Sequence, residues 1–323
     1  MEFNIKLQYV ESHLIIDLLV NHNANNSLDS GDKQLPKQNQ AYLNQIISLT
    51  YIELAISEWG CPDGIAVIAL HGWLDNMASY YPMIGDGQWL IDNNIRLITV
   101  DSAGHGASQH RSPAQGYPLA EYVQDLHELI EVMELQAPII MGHSMGGAIA
   151  SLYAGTEVAN LSKLILIESL GPVTHAPEQA PNQMARFLNN KHRHLNSTKR
   201  LLDNLEPLIK LRQEHSQLTE TNARLIIERN MTETEAGFAW RSDQRLRLPS
   251  SMYLSPDQVN AFISEINCPT LVIFATDGPI QNYPVIQGRF ELLNKGTLVA
   301  LTGGHHLHME NPADVKEEVI KFL

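Results

Sequence analysis

From Ile46 onward, short runs of β-branched and aliphatic residues alternate with longer segments whose apolar positions recur every three or four residues. That rhythm predicts βα units building a mostly parallel sheet. Ile65 to Leu70, Ile95 to Val100 and Ile139 to Met141 are nearly unbroken apolar runs, as strands covered on both faces should be. Leu164 to Ile167, Thr270 to Phe274 and Thr297 to Leu301 continue the series. Ser48 to Ser57 read as the opening antiparallel strands, because Tyr51 to Ile56 alternate. Leu119 to Leu135 reads as a helix, with Tyr122, Leu126, Leu129, Ile130 and Met133 on one face.

Between Gly171 and about Pro256 the strand rhythm stops. The segment is polar, helical in pattern and punctuated by Pro172, Pro177, Pro181, Pro207 and Pro249. This predicts a helical cap over residues 171–256, inserted into a core made of residues 46–170 and 257–323. Residues 1–45 form an N-terminal extension. Its part from Ile5 to Val20 is apolar enough for a strand or docking segment, whereas residues 21–40 are mostly Asn, Gln, Asp, Ser and Lys. Such a stretch buries too little apolar surface to offset the entropy of ordering, so a linker or disordered loop is expected.

A chain of 323 residues suits one large domain carrying an insertion. With 44% hydrophobic and 18% charged residues it has the make-up of an ordinary soluble protein. No apolar run approaches the roughly 20 residues that cross a bilayer, and Asp17 interrupts the longest, Leu14 to Val20. The opening residues lack the pattern of a secretory signal, so a cytoplasmic protein is expected. Two cysteines, Cys61 and Cys268, without metal-ligand spacing suggest plain buried thiols. A net charge of −14 disfavours nucleic acid as a partner, since phosphate neutralisation supplies most of that affinity. The basic run Lys191 to His194, with Lys199 and Arg200, reads as the solvated face of a helix. No sequence signature points to a particular oligomeric state.

Gly142-His143-Ser144-Met145-Gly146 directly follows one predicted strand and opens a helix rich in small residues. That context suits a nucleophile elbow, a strained turn that holds a serine at the top of a sheet and tolerates only small neighbours. His71-Gly72-Trp73 follows the strand ending at Leu70, so the Trp73 and Met145 N–H groups are candidate donors to a developing oxyanion. A general base is expected later in the chain, where Gly303-Gly304-His305-His306-Leu307-His308 follows the last strand. His305, next to the glycine pair and nearest the strand end, is the candidate; His306 and His308 read as packing or hydrogen-bonding neighbours. The flanking glycines argue against a metal site built from the three histidines. Two carboxylates satisfy the order serine, acid, histidine: Glu168 at one strand end and Asp277 after another. Trp240 and Phe238 of the cap read as packing residues, with lining of the pocket as the alternative.

Taken with Asp101 to Ser108, these motifs resemble the α/β-hydrolase superfamily, and more narrowly the serine hydrolase-like proteins, to which Ser242-Asp243-Gln244-Arg245-Leu246 is also similar. The likeness covers roughly residues 46–323. It implies an eight-stranded sheet, a helical cap after the sixth strand and hydrolysis without a cofactor. It also favours Glu168 as the acid, with Asp277 as the alternative, because the turn Ala275 to Gly278 is one residue out of the register in which the superfamily places its Asp. His105 is then a support of the site wall. The expected function is serine-dependent hydrolysis of a small carboxylic ester or related acyl substrate. C–C bond hydrolysis, thioester cleavage and cofactor-free peroxidase chemistry use the same residues, and a ligand receptor on this fold is the alternative from another class.

Overall fold

The computed structural model describes residues 4–10, 13–19, 43–195, 201–280 and 284–323. The predicted loop over residues 21–40 falls outside these, as do Lys199 and Arg200. Two compact units divide the chain, Met1–Asn39 and Gln40–Leu323. In the first, β1 (Asn4–Val10) pairs antiparallel with β2 (His13–Leu19).

In the second unit, β3 (Leu43–Ser48), β4 (Glu53–Gly60) and β5 (Ile65–Leu70) are followed by the short helices α1 (Tyr81–Ile84) and α2 (Gln88–Asp92) and by β6 (Ile95–Val100). Then come α3 (Leu119–Val132), β7 (Ile139–His143), α4 (Met145–Ala154) and β8 (Lys163–Ile167). After β8 the chain leaves the sheet for α5 (Ala180–Leu195), α6 (Glu206–Ser216), α7 (Glu220–Arg229) and the hairpin β9 (Met231–Thr234) and β10 (Gly237–Trp240). It returns through α8 (Pro256–Ser264), β11 (Thr270–Ala275), α9 (Pro284–Phe290), β12 (Gly296–Leu301), α10 (Leu307–Glu310) and α11 (Pro312–Phe322).

Eight strands form one sheet in the order β12-β11-β8-β7-β5-β6-β4-β3, with β4 alone reversed. The first strand lies upstream of where alternation suggested it. Ser48 ends β3, and Leu43 and Ile46 are exposed along this sheet edge, which weakens the apolar signal. The hairpin β9–β10 is also a departure from the all-helical pattern expected between Gly171 and Pro256. Its four-residue strands are half-buried, too short and mixed to show a period of two.

Along the central strands alternate residues serve opposite layers. Ile68 and Leu70 of β5, Ile140 of β7, and Leu164 and Leu166 of β8 pack with α3, α4 and α8. Val67, Ala69, Ile139, Met141, Ile165 and Ile167 face α1, α2 and α11. Burial on both faces is the reason these strands read as continuous apolar runs.

From β5 the chain steps to β6 on one side, then to β7 on the other. The carboxyl ends of β5 and β7 thus flank the switch point of the sheet, where open α/β sheets leave a crevice for ligands. Among the described residues no helix is long and apolar enough to cross a membrane. Cys61 and Cys268 are free and half-buried rather than fully buried.

Candidate active site

β7 ends at His143, and the chain turns into α4 through Ser144, whose φ of 51° and ψ of −112° lie in a region side chains rarely adopt. The turn is possible because its neighbours lack side chains. A Cβ on Gly142 would stand 2.5 Å from the Gly146 carbonyl, and one on Gly146 would collide with the carbonyl oxygen of Leu70. The Ser144 N–H donates to the Ile167 carbonyl at 3.0 Å, tying the elbow to the neighbouring β8.

Ser144 Oγ lies 3.0 Å from His305 Nε2, and His305 Nδ1 lies 3.1 Å from Glu168 Oε2. A carboxylate only accepts, so Nδ1 carries the proton and Nε2 presents a lone pair to the serine hydroxyl. Glu168 directly follows β8, is fully buried, and has a φ of 51°. Its N–H donates to Ile273, and its Oε1 accepts from the Ala275 N–H at 2.7 Å. Space for the carboxylate comes from Gly278, where a Cβ would stand 2.5 Å from Glu168 Oε2. Asp277, the other candidate acid, is exposed and contributes its backbone N–H to the Gly303 carbonyl. The structure therefore brings Ser144, His305 and Glu168 together and leaves Asp277 apart.

His71-Gly72-Trp73 emerges from β5, and the Gly146 N–H donates to the His71 carbonyl at 3.1 Å. The two loops are fastened one residue away from Met145 on one side and two from Trp73 on the other. As the first residue of α4, Met145 has an N–H without an intrahelical acceptor. His71 props this loop: Nδ1 donates to the Gly72 carbonyl at 2.7 Å while Nε2 accepts from the Ser102 N–H at 3.0 Å. His105 does the same one step further out, accepting from the Leu74 N–H and donating to Ala103. Burial pushes His71 below its usual pKa and His105 to about 3, so both rings are neutral struts.

Behind the triad lies a cluster of which the sequence motifs held only His143, His306 and His308. Asp75, buried, meets His306 Nε2 at 3.3 Å through Oδ2 and the Arg212 guanidinium through Oδ1. Burial opposes its charge, but Arg212 and His306 overcome that and hold the carboxyl well below the usual range. His143 Nε2 meets the His305 carbonyl at 2.8 Å. His308, fully buried, has neither ring nitrogen hydrogen-bonded and lies against Tyr80 and His143. Among the described residues no group of three or more His, Cys, Asp or Glu could hold a metal ion.

Several contacts tie the segment after β8 to these loops. Arg212 of α6 reaches Asp75, and Arg229 of α7 holds Asp101 through its Nε and a terminal nitrogen. Trp73 Nε1 donates to Leu246 at 2.9 Å, and the Asp243 N–H donates to Gly104 at 2.8 Å. Within Ser242 to Leu246, Asp243 also pairs with Arg245, which reaches the carbonyls of Arg111, Ser112 and Gln115. Phe238 and Trp240 are half-buried: the Phe238 backbone bridges to Leu202, and the Arg247 guanidinium lies over the Trp240 ring.

A family model described as alpha/beta hydrolase fold matches residues 65–312. A serine hydrolase-like protein of Danio rerio is 25% identical over 281 residues, spanning 84% of this chain and 85% of that protein. One of Dictyostelium discoideum is 27% identical over 292 residues, covering 85% and 79%. The crystal structure of a hypothetical protein from Pseudomonas aeruginosa PAO1 superposes with a TM-score of 0.77 at 30% identity, over 86% of this chain and 96% of that one.

Proposed function

The chain belongs to the alpha/beta hydrolase fold family, and from that premise we propose that it is a serine-dependent hydrolase acting on a small carboxylic ester or related acyl substrate through an acyl-enzyme. The observation that carries this reading is the unbroken relay from Ser144 Oγ through His305 to the buried Glu168. In this reading His305 Nε2 takes the hydroxyl proton as Ser144 Oγ attacks the carbonyl carbon. Glu168 holds the ring tautomer and stabilises the imidazolium, its second oxygen being fixed by the Ala275 N–H. The N–H groups of Met145 and Trp73 receive the oxyanion, helped by the positive end of the α4 dipole. The proton then passes from His305 to the departing alkoxide, and water repeats the sequence to release the acid.

The residues between β8 and α8 act as a cap in this account. The contacts of Arg212, Arg229, Leu246 and Asp243 with the loops after β5 and β6 support that role, since they fasten the segment over the carboxyl ends of the strands. The test is turnover of purified protein on p-nitrophenyl esters of graded acyl length, alongside thioesters and the halide-dependent peroxidase reaction. Ester turnover that disappears in Ser144→Ala is the expected result. Turnover that survives this substitution would refute the serine mechanism, and no turnover on any substrate would favour a ligand receptor.

A further inference from the structure

Resting on the Ser144–His305–Glu168 reading, we propose that His143 is a positioning residue that sets the catalytic base by holding the main chain of His305. Its ring is fully buried, and Nε2 lies 2.8 Å from the His305 carbonyl oxygen. A peptide carbonyl can only accept, so Nε2 carries the hydrogen and donates it. The other nitrogen, Nδ1, has no hydrogen-bond partner and lies 3.8 Å from Asp75 Oδ2. Two acceptors facing one another do not bond, and Asp75 is already engaged by Arg212 and His306. The bond to His305 is therefore the polar work of this side chain.

The ring has little freedom to do anything else. A Cβ on Gly72 would lie 3.0 Å from its Nδ1, and the His308 ring centroid lies 4.1 Å away on another side. Burial, with the neighbouring rings of His308, His305 and His306, holds His143 well below the usual imidazole pKa, so the donor stays in one neutral tautomer.

The consequence concerns register. His305 sits on a loop entered through Gly303, whose φ is 141°; the Gly303 and Gly304 carbonyls accept from the Asp277 and Leu307 N–H groups, whereas the His305 carbonyl accepts from the His143 ring. His143 is the last residue of β7 and Ser144 is the next residue. One rigid strand end thus places the nucleophile through Ser144 and its base through His143. Without that anchor the His305 loop drifts relative to Oγ, and misplacement by about 1 Å costs about 100-fold in rate.

The test uses the full chain with His143→Met, which keeps volume but has no N–H, and His143→Gln, which keeps a donor at similar reach. Fluorophosphonate labelling rates, ester kcat and KM, and thermal midpoints are measured together. The proposal expects His143→Met to lose about 100-fold in labelling rate and kcat, with KM nearly unchanged, and His143→Gln to recover most of that. Equal losses in the two variants, or a methionine variant as fast as wild type, would overturn it. Nitrogen-15 spectra of the wild-type imidazoles give a readout independent of folding in the variants: a neutral Nε2–H tautomer at His143 supports the anchor, and an Nδ1–H tautomer overturns it. Activity surviving in Ser144→Ala would instead bring down the underlying serine mechanism, so the two failures are separable.

Discussion

Glu168→Gln separates the two jobs of the buried carboxylate. In the wild type, Oε1 accepts from the Ala275 N–H at 2.7 Å and Oε2 accepts from His305 Nδ1 at 3.1 Å. A glutamine offers one acceptor and one donor in the same shape. If the amide nitrogen faced Ala275, two buried donors would oppose each other, at about 1–3 kcal/mol for the unsatisfied group. The amide therefore keeps its oxygen on Ala275 and turns its NH2 toward His305. Nδ1 must then accept, the proton moves to Nε2, and the ring points a hydrogen at Ser144 Oγ instead of a lone pair. Serine hydrolases with this tautomer error lose about 10⁴-fold in kcat, or about 5.4 kcal/mol of barrier. The expectation is thus a kcat on p-nitrophenyl acetate about 10⁴-fold lower, with a thermal midpoint close to wild type. Asp277→Asn, at an exposed site away from His305, should stay within about twofold by the same assay. Wild-type activity in Glu168→Gln, or an equal loss in Asp277→Asn, would refute the assignment of the acid.

Gly278→Ala should lower kcat by about tenfold or more, because its Cβ would stand 2.5 Å from Glu168 Oε2 and push the carboxylate from the imidazole; kinetics beside a thermal melt check this. Acid should destabilise the fold steeply. Burial holds His105 and His308 near 3 and lowers His71, His143 and His306, while in the unfolded chain all five titrate near 6.5. Below about 6.5 the unfolded state binds protons that the folded state refuses, so stability is full above that pH and falls beneath it, by up to about 1.4 kcal/mol per pH unit for each histidine. His308→Phe removes one such group, and the slope of unfolding free energy between about pH 6 and pH 5 should flatten by that amount; denaturant titrations at the two pH values measure it, and an unchanged slope contradicts the account.

Much of the sheet was legible because its central strands are buried on both faces. Ile65–Leu70 and Ile95–Val100 coincide with their apolar runs, and β8 and β11 exceed theirs by one residue each. The edge strand β3 was displaced because a half-exposed strand mixes Asn44 and Gln45 with Ile46 and Ile47. The elbow could be placed because its two glycines stand between a strand and a helix of small residues, where backbone packing around Gly142 and Gly146 admits nothing larger. The acid was harder. Glu168 and Asp277 both follow strands, and what distinguishes them is burial and a strained φ, neither of which leaves a local mark. Arg212 was invisible for a different reason: its partner Asp75 lies 137 positions earlier, and a single cation in a polar helix carries no sign of the buried carboxylate it meets.

The account rests on Ser144 as the nucleophile. Its most direct test is intact-protein mass spectrometry after treatment with a fluorophosphonate, followed by peptide mapping. One adduct per chain on the peptide carrying Ser144, absent in Ser144→Ala and slowed in His305→Ala, is the predicted result. An unlabelled chain, or an adduct on another residue that persists in Ser144→Ala, would contradict it.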